Sequence, residues 1–258
     1  MLENTFVHVP GIGPRTERSL WEQGVLTWGQ ALECACPVGF SAARWGASCE
    51  LLEQSLRSLR RRDHRYFAGS LPSSEHWRAW GDFRDRVVYL DIETTGCSGS
   101  DRVTVVGLYD GSRTSTFVAG DNLDQLPEAL ENYAMLVTFN GASFDLPFLS
   151  RRFPDLRFRQ LHLDLMHALR RLGLTGGLKA IERRVGIARD DDLAHLSGWD
   201  AVRLWNEYRA GRQSSLETLI RYNTADIENL EFLAEMAFGK LISWIGLPGD
   251  RPEGGAAR

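Results

Sequence analysis

The chain has 258 residues, 43% of them hydrophobic, and a formal net charge of -4, which is typical of a globular protein with room for one full domain and a smaller module. The nearly neutral charge excludes a protein that coats nucleic acid by charge alone, and no apolar stretch approaches the length of a membrane span. Glu3 stands where a signal peptide would carry basic residues, so we expect a cytoplasmic protein with no membrane partner.

The N-terminal segment has helical periodicity, interrupted early by a glycine-rich turn. Its apolar residues predict helices over residues 15–23 and 50–62. Residues 65–82 lose this periodicity and gain Gly, Pro and Ser, which is typical of a linker. The sequence therefore predicts a helical domain over residues 1–64 and a linker over residues 65–82.

From residue 84 onward the pattern changes to short apolar runs separated by turns. Asp110-Gly111 is a strong hairpin signal between two of these runs. The predicted strands are 87–92, 103–109, 114–118, 136–139 and 161–163, and the predicted helices are 126–133, one opening near Ser143, 166–172, 178–185, 201–209 and 216–241. This order predicts an α/β domain over residues 83–245, with a mixed sheet flanked by helices. The Pro- and Gly-rich residues 246–258 are predicted to be a disordered tail.

Carboxylates stand at three separate places in this second domain. Asp91 and Glu93 end a buried strand, where two acids are costly unless a cation neutralises them. Tyr222 and Asp226 are four residues apart on the last helix and so share a face. Asp145 follows a loop. Its carboxylate could also simply stabilise the first turn of a helix whose N-cap is Ser143. Such hard oxygen ligands select Mg²⁺ or Mn²⁺.

These segments resemble the three motifs of the DEDD superfamily of exonucleases, which have an RNase H-like fold. The motifs are Asp91-Ile92-Glu93, Asn140 to Asp145 and Tyr222 to Asp226. Tyr222 places the chain in the tyrosine (DEDDy) branch, since Arg221 occupies the position where the other branch carries histidine. The residues that make up these motifs are similar to those of the YprB-like group. The resemblance implies an RNase H-like mixed sheet of five strands, preceded by a small all-helical domain.

The resemblance also implies a role for each motif residue around two divalent metal ions, Mg²⁺ or Mn²⁺. Asp91 would bridge both ions, Glu93 and Asp226 would complete the site of the ion that activates water, and Asp145 would hold the second ion. Tyr222 would orient the attacking water. The implied substrate-binding residues are Thr94, Thr95, Gly96, Asn140 and Phe144, of which Asn140 could instead cap the turn.

The early turn Pro10-Gly11-Ile12-Gly13-Pro14 resembles the hairpin of helix-hairpin-helix modules. In such hairpins the glycines leave backbone N–H groups free to hold phosphate at a helix N-terminus, and here Gly11, Gly13 and Arg15 would make the contacts. The turn follows Met1 so closely that little room is left for a first helix. A structural turn or a partner-docking module therefore stays open as an alternative.

The resemblance therefore implies a metal-dependent 3′–5′ exonuclease that acts on single-stranded ends of nucleic acid, and the sequence does not distinguish DNA from RNA as the substrate. The alternatives are a structure-specific endonuclease using the same site and a catalytically inactive nucleic-acid-binding adaptor. Two other acidic positions have ordinary explanations. Asp164 is placed to cap a helix, with a supporting role beside the metals as the alternative, and the run over residues 190–192 is typical of a solvated loop.

Overall fold

The computed structural model describes residues 1–247 and divides into two compact units. One unit comprises Met1–Arg84 together with the described residues from Phe238 to 247, and the other comprises Asp85–Ala237. Of the tail predicted over residues 246–258, residues 248–258 lie outside the described part of the chain. Among the described residues, no helix combines the length and the apolar character that crossing a bilayer requires.

The first unit is built from short helices. Its α-helices are α1 (Pro14–Glu22), α2 (Trp28–Glu33), α3 (Ala42–Arg60) and α4 (His64–Ser70), and 3₁₀ helices span Leu2–Asn4 and Ser73–Ala79. Helix α3 begins earlier than the predicted 50–62 because the Ser41 side chain accepts a hydrogen bond from the Arg44 backbone and caps the helix there.

Residues 65–82, predicted to be a linker, instead fold within this first unit as α4 and the second 3₁₀ helix. Phe67, Trp77 and Trp80 are buried there. Each helix is too short to show a repeating apolar period, which is why the sequence pattern did not reveal them. The aromatic ring of Phe238 lies 5.1 Å from that of Trp80, so the end of the last helix belongs to this unit and the second unit ends before residue 245.

The second unit contains one mixed five-stranded sheet in the order β3-β2-β1-β4-β5. The strands are β1 (Val87–Thr94), β2 (Val103–Tyr109), β3 (Thr114–Val118), β4 (Met135–Thr138) and β5 (Leu161–Asp164). The first three pair antiparallel as a meander, and β4 and β5 add in parallel beside β1. The α-helices of this part of the chain are α5 (Leu126–Leu130), α6 (Asp145–Arg152), α7 (Leu165–Arg171), α8 (Leu178–Val185), α9 (Asp191–Ala194), α10 (Gly198–Arg209) and α11 (Gln213–Ile245). The predicted fold class is confirmed.

The alternation of side chains along β1 separates two apolar clusters. Val88, Leu90 and Ile92 belong to the cluster that also contains Phe148 of α6. The residues between them point to the opposite face of the sheet, where α10 and α11 contribute a second cluster together with Val105. Asp91 and Glu93 are two residues apart and therefore share that second face, directed toward α11.

Candidate metal centre

Three carboxylates from β1 and α11 converge at one point of the second unit. One ligand oxygen each from Asp91, Glu93 and Asp226 lies within 4.8 Å of the other two. Glu93 and Asp226 are 7% and 6% exposed. The strand supplies two of the acids because it holds them at positions i and i+2 on one face, and a register shift between Glu93 and Thr94 ends the regular pairing with β2 just beyond them.

A fourth acid, Asp145, comes from a different element. It is the first residue of α6 and is buried, 2% exposed. Its charge contributes to raising the pKa of both Asp91 and Glu93, although it lies outside the group of three. The N-cap of α6 is Phe144, not Ser143, and no side chain caps the helix. The cap proposed for Ser143 is therefore wrong.

The Asp164 carboxylate fixes the turn that leads to Asp145. Its two oxygens accept hydrogen bonds from the backbone N–H groups of Asn140 at 2.8 Å and Ala142 at 3.1 Å. It also caps α7 by accepting from the Met166 N–H at 3.1 Å, as the sequence predicted. Asn140 adopts a left-handed conformation with φ of 65°, which asparagine tolerates better than most residues.

Tyr222 lies one helical turn before Asp226 and is 7% exposed. Burial, and then the charges of Asp226 and Glu93, raise the pKa of the phenol above its ordinary value. The hydroxyl therefore keeps its proton at neutral pH and is available as a hydrogen-bond donor. The Nζ of Lys179 lies 4.5 Å from the centre of the Tyr222 ring and donates to the Leu196 carbonyl.

Asn223 is a site residue that the sequence did not reveal. Its amide nitrogen donates to the Asp91 carboxylate at 2.9 Å and to the Asp91 carbonyl at 3.3 Å. Gly107 stands directly opposite Asp91 on β2, and a Cβ at that position would lie 2.0 Å from the Asn223 side-chain oxygen. Only glycine leaves the space through which α11 reaches β1. No motif in the sequence signals this pairing.

Arg189 is the second missed residue. Its guanidinium donates to Glu182 at 2.7 and 2.6 Å and also to Asp226. Asn229 holds Glu182 from the other side, with its amide nitrogen 3.0 Å from the carboxylate. Arg189 thus ties one cluster acid to α8. It directly precedes the acidic run at residues 190–192 in a region where sequence alone predicts solvated charges.

The cluster still carries more negative charge than its protein partners offset. Burial, and then the charge of Asp145, raise the pKa of Asp91 well above its ordinary value. Burial, and then the charge of Asp226, do the same for Glu93, and burial raises the pKa of Asp145 to about 7. Glu93 Oε1 and Asp145 Oδ1 are buried and accept no hydrogen bond. A bound divalent cation would satisfy such oxygens and lower these pKa values, so this donor set fits Mg²⁺ or Mn²⁺.

A family model of the RNase H superfamily matches residues 88–238. The chain belongs to the RNase H superfamily. The comparison with curated proteins found no match.

One solved structure similar to this RNase H superfamily member is a family B DNA polymerase from the hyperthermophilic archaeon Pyrobaculum calidifontis. The TM-score is 0.48 at 21% sequence identity, and the match covers 64% of this chain. It covers 26% of the polymerase, so this chain spans about a quarter of that protein's length.

The cleft above the carboxylates has a volume of about 330 Å³. Of the predicted substrate-binding residues, Thr94, Gly96 and Phe144 line it together with Asp91, Glu93, Tyr222 and Asp226. Thr95 and Asn140 do not line it. The Thr95 hydroxyl donates to Asp101 at 2.9 Å and closes the loop between β1 and β2. Asn140 donates its backbone N–H to Asp164, so in this turn it is the Asp164 side chain that acts as the cap.

The residues of the glycine turn that were predicted to contact phosphate lie in the helical unit. Gly11 has a left-handed φ of 80°, and its carbonyl accepts from the Arg44 guanidinium at 2.6 Å. Gly13 is the N-cap of α1, and Arg15 is exposed in the first turn of that helix. The only helix before the turn is the 3₁₀ helix over residues 2–4, so the described residues contain no first α-helix of a helix-hairpin-helix module.

Proposed function

We propose that this protein is a metal-dependent 3′–5′ exonuclease of the tyrosine branch of the DEDD group, related to the YprB-like proteins. The observation that carries the proposal is the gathering of Asp91, Glu93 and Asp226 within 4.8 Å, with orphaned carboxylate oxygens beside them on Glu93 and Asp145. A structural role does not require mutually repelling buried acids, whereas metal-assisted hydrolysis does. Membership of the RNase H superfamily supports the same function.

The proposed roles follow from the position of each group. Asp91 would contact both ions, Glu93 and Asp226 would hold one, and Asp145 would hold the other. Two divalent ions bound there would activate a water molecule and neutralise charge on the leaving oxygen. Tyr222 would orient that water, because its buried phenol keeps its proton.

Asn223 would keep the shared ligand in place, since it holds the Asp91 carboxylate at 2.9 Å. Water would attack the terminal phosphorus, the bond from phosphorus to the 3′ oxygen would break, and a nucleoside monophosphate would leave. The proposed substrate is a single-stranded end, whose terminal nucleotide would enter the cleft of about 330 Å³.

The test compares wild type with Asp91→Asn, which removes one charge with little change of volume. Labelled single- and double-stranded DNA and RNA are incubated with Mg²⁺ or Mn²⁺, and product lengths are resolved with time. We expect stepwise shortening from the 3′ end by wild type and a loss of at least about a thousandfold in the variant. The matched control is Asp155→Asn, an exposed acid in the same unit, which should retain full activity.

Product lengths also separate the alternatives. Discrete internal cuts would replace the exonuclease proposal with a structure-specific endonuclease. Binding without hydrolysis would indicate an adaptor. Calorimetric titration with Mn²⁺ gives an independent measurement, since Asp91→Asn should weaken binding of the ion while Asp155→Asn should not. Full activity of Asp91→Asn would refute the site assignment.

A further inference from the structure

An exposed tryptophan stands at the edge of the acidic cleft. Trp199 is 76% exposed, whereas most large apolar side chains of the described chain are buried. The others exposed among residues 1–247 are Val38, Phe232 and Trp244. Of these four side chains, only Trp199 lines the cleft that contains Asp91 and Asp226. Its exposure therefore coincides with the candidate metal centre.

The backbone that carries Trp199 is held firmly. Trp199 is the second residue of α10, whose start is fixed by a reciprocal capping box between Ser197 and Asp200. The Asp200 carboxylate accepts from the Ser197 N–H at 3.0 Å. The buried face of α10, including Leu204, belongs to the same apolar cluster as Tyr222. The backbone from which the ring projects is therefore already ordered before a ligand binds.

The residues that line the cleft form an acidic part and an apolar part. Asp91, Glu93 and Asp226 form its acidic part, while Phe144, Trp199 and Val202 provide apolar surface. A nucleotide has the same two parts, a charged phosphate that metal ions would bind and a planar base with a π face. Aromatic side chains stack on any base with little sequence preference, and tryptophan offers the largest ring for this purpose.

We propose that Trp199 stacks on a base at the end of the bound strand and so positions the terminal phosphodiester over the carboxylates. This inference rests on the nuclease function proposed above and adds a substrate-positioning residue to it. The contact is with the base, so it should govern binding of the strand more than the chemical step. It also predicts that an end without a base binds poorly.

The experiment measures KM and kcat for Trp199→Ala, Trp199→Phe and the control Trp244→Ala, an exposed tryptophan that does not line the cleft. Each protein receives a single strand with an ordinary 3′ end and the same strand with an abasic terminal nucleotide. Fluorescence anisotropy with a labelled strand, with Ca²⁺ in place of Mg²⁺, measures affinity without requiring hydrolysis. Circular dichroism checks that each variant is folded.

We expect Trp199→Ala to raise KM and the dissociation constant about tenfold on the ordinary end, with kcat nearly unchanged. Trp199→Phe should recover most of the affinity, and Trp244→Ala should match wild type. On the abasic end, wild type and Trp199→Ala should bind equally weakly. Unchanged affinity of Trp199→Ala for the ordinary end, or an equal loss on both ends, would overturn the stacking proposal.

The two proposals fail in different ways. If wild type hydrolyses the strand and Trp199→Ala behaves like wild type, the nuclease function stands and base stacking is wrong. If wild type hydrolyses none of the substrates, the nuclease function is wrong. In that case the anisotropy measurement still decides whether Trp199 contacts a base.

Discussion

Each of the two units contains a cluster of buried charges, and the two clusters differ in how their oxygens are satisfied. In the helical unit, the Arg78 guanidinium lies 2.9 Å from Glu17 and 2.6 Å from Glu75. Glu17 also accepts from the backbone N–H groups of Phe6 at 2.6 Å and Val7 at 3.3 Å. The carboxylate oxygens of this cluster are not orphaned. The protein itself completes the network, so we interpret it as structural.

The carboxylates of the second unit are not completed in the same way. The Asp91 carboxylate accepts a hydrogen bond from Asn223, and the Asp226 carboxylate accepts one from Arg189. Glu93 Oε1 and Asp145 Oδ1, however, are buried and accept no hydrogen bond. Buried polar atoms are almost always hydrogen-bonded in folded proteins, so an orphaned acceptor points to a missing ligand. The comparison teaches that unsatisfied oxygens, more than burial or charge alone, distinguish a candidate binding site from a structural ion pair.

The largest effect on stability is expected from Arg78→Met. The change leaves two buried carboxylates without their cation and should lower the free energy of unfolding by about 3–5 kcal/mol. Urea denaturation measures it. The control is Arg57→Met at an exposed pair with Glu53, where we expect almost no change. Similar values for both variants would contradict the view that the Glu17–Arg78 network stabilises the helical unit.

A smaller effect is expected from pH and metal ions acting on the second unit. The pKa of Asp145 is about 7 in the folded protein, above its ordinary value of 3.8, so the folded state binds this proton more tightly than the unfolded state. The contribution of Asp145 to stability should therefore fall as pH rises from about 4 to about 7. Mn²⁺ at 100 times its dissociation constant should restore about 2.7 kcal/mol near neutral pH.

Denaturation at pH 5 and pH 8, with and without Mn²⁺, checks this prediction. Between pH 5 and pH 8 without metal, wild type should lose more stability than Asp145→Asn, because the variant lacks one carboxyl of raised pKa while Asp91 and Glu93 keep theirs. Asp91→Asn should remove most of the stabilisation by Mn²⁺. If Mn²⁺ stabilised wild type equally at both pH values, protons and the ion would not be competing for these carboxylates.

The sequence predicted those parts of the molecule that local patterns encode. The bounds of β2, β3 and α8 agree with the predicted ranges, because alternation in strands and a helical apolar stripe are strong signals. The apolar run before Asp91 and Glu93 predicted that both carboxylates stand at the end of a buried strand, as they do on β1. Likewise, the four-residue spacing of Tyr222 and Asp226 predicted that both lie on one face of α11.

Partner choice across the fold was not predictable in the same way. Asn223 and Asp91 are 132 residues apart, and nothing in the local sequence of either residue announces their hydrogen bond. Arg189 lies among charges that predicted a solvated loop, yet its side chain is 5% exposed. Such contacts depend on how elements pack, and one sequence contains no record of that packing.

The smallest of these effects tests such a contact directly. Gly107 does not need a left-handed backbone; it needs space, because a Cβ would lie 2.0 Å from the Asn223 oxygen and 2.9 Å from Ile227. Gly107→Ala should cost about 1–3 kcal/mol of stability through overpacking and should also lower nuclease activity by displacing Asn223 from Asp91. Thermal and urea denaturation and the strand-shortening assay measure both.

The control substitution is Gly46→Ala, in the exposed interior of α3, where a Cβ meets nothing within 4 Å. It should raise stability by about 0.5–1 kcal/mol, because alanine favours the helix. Asn223→Ala combined with Gly107→Ala should cost less than the sum of the two single changes, since truncating Asn223 removes part of the clash. If the losses of stability were strictly additive, Gly107 and Asn223 would act independently. The view that Gly107 leaves the space through which Asn223 reaches the Asp91 carboxylate would then be wrong.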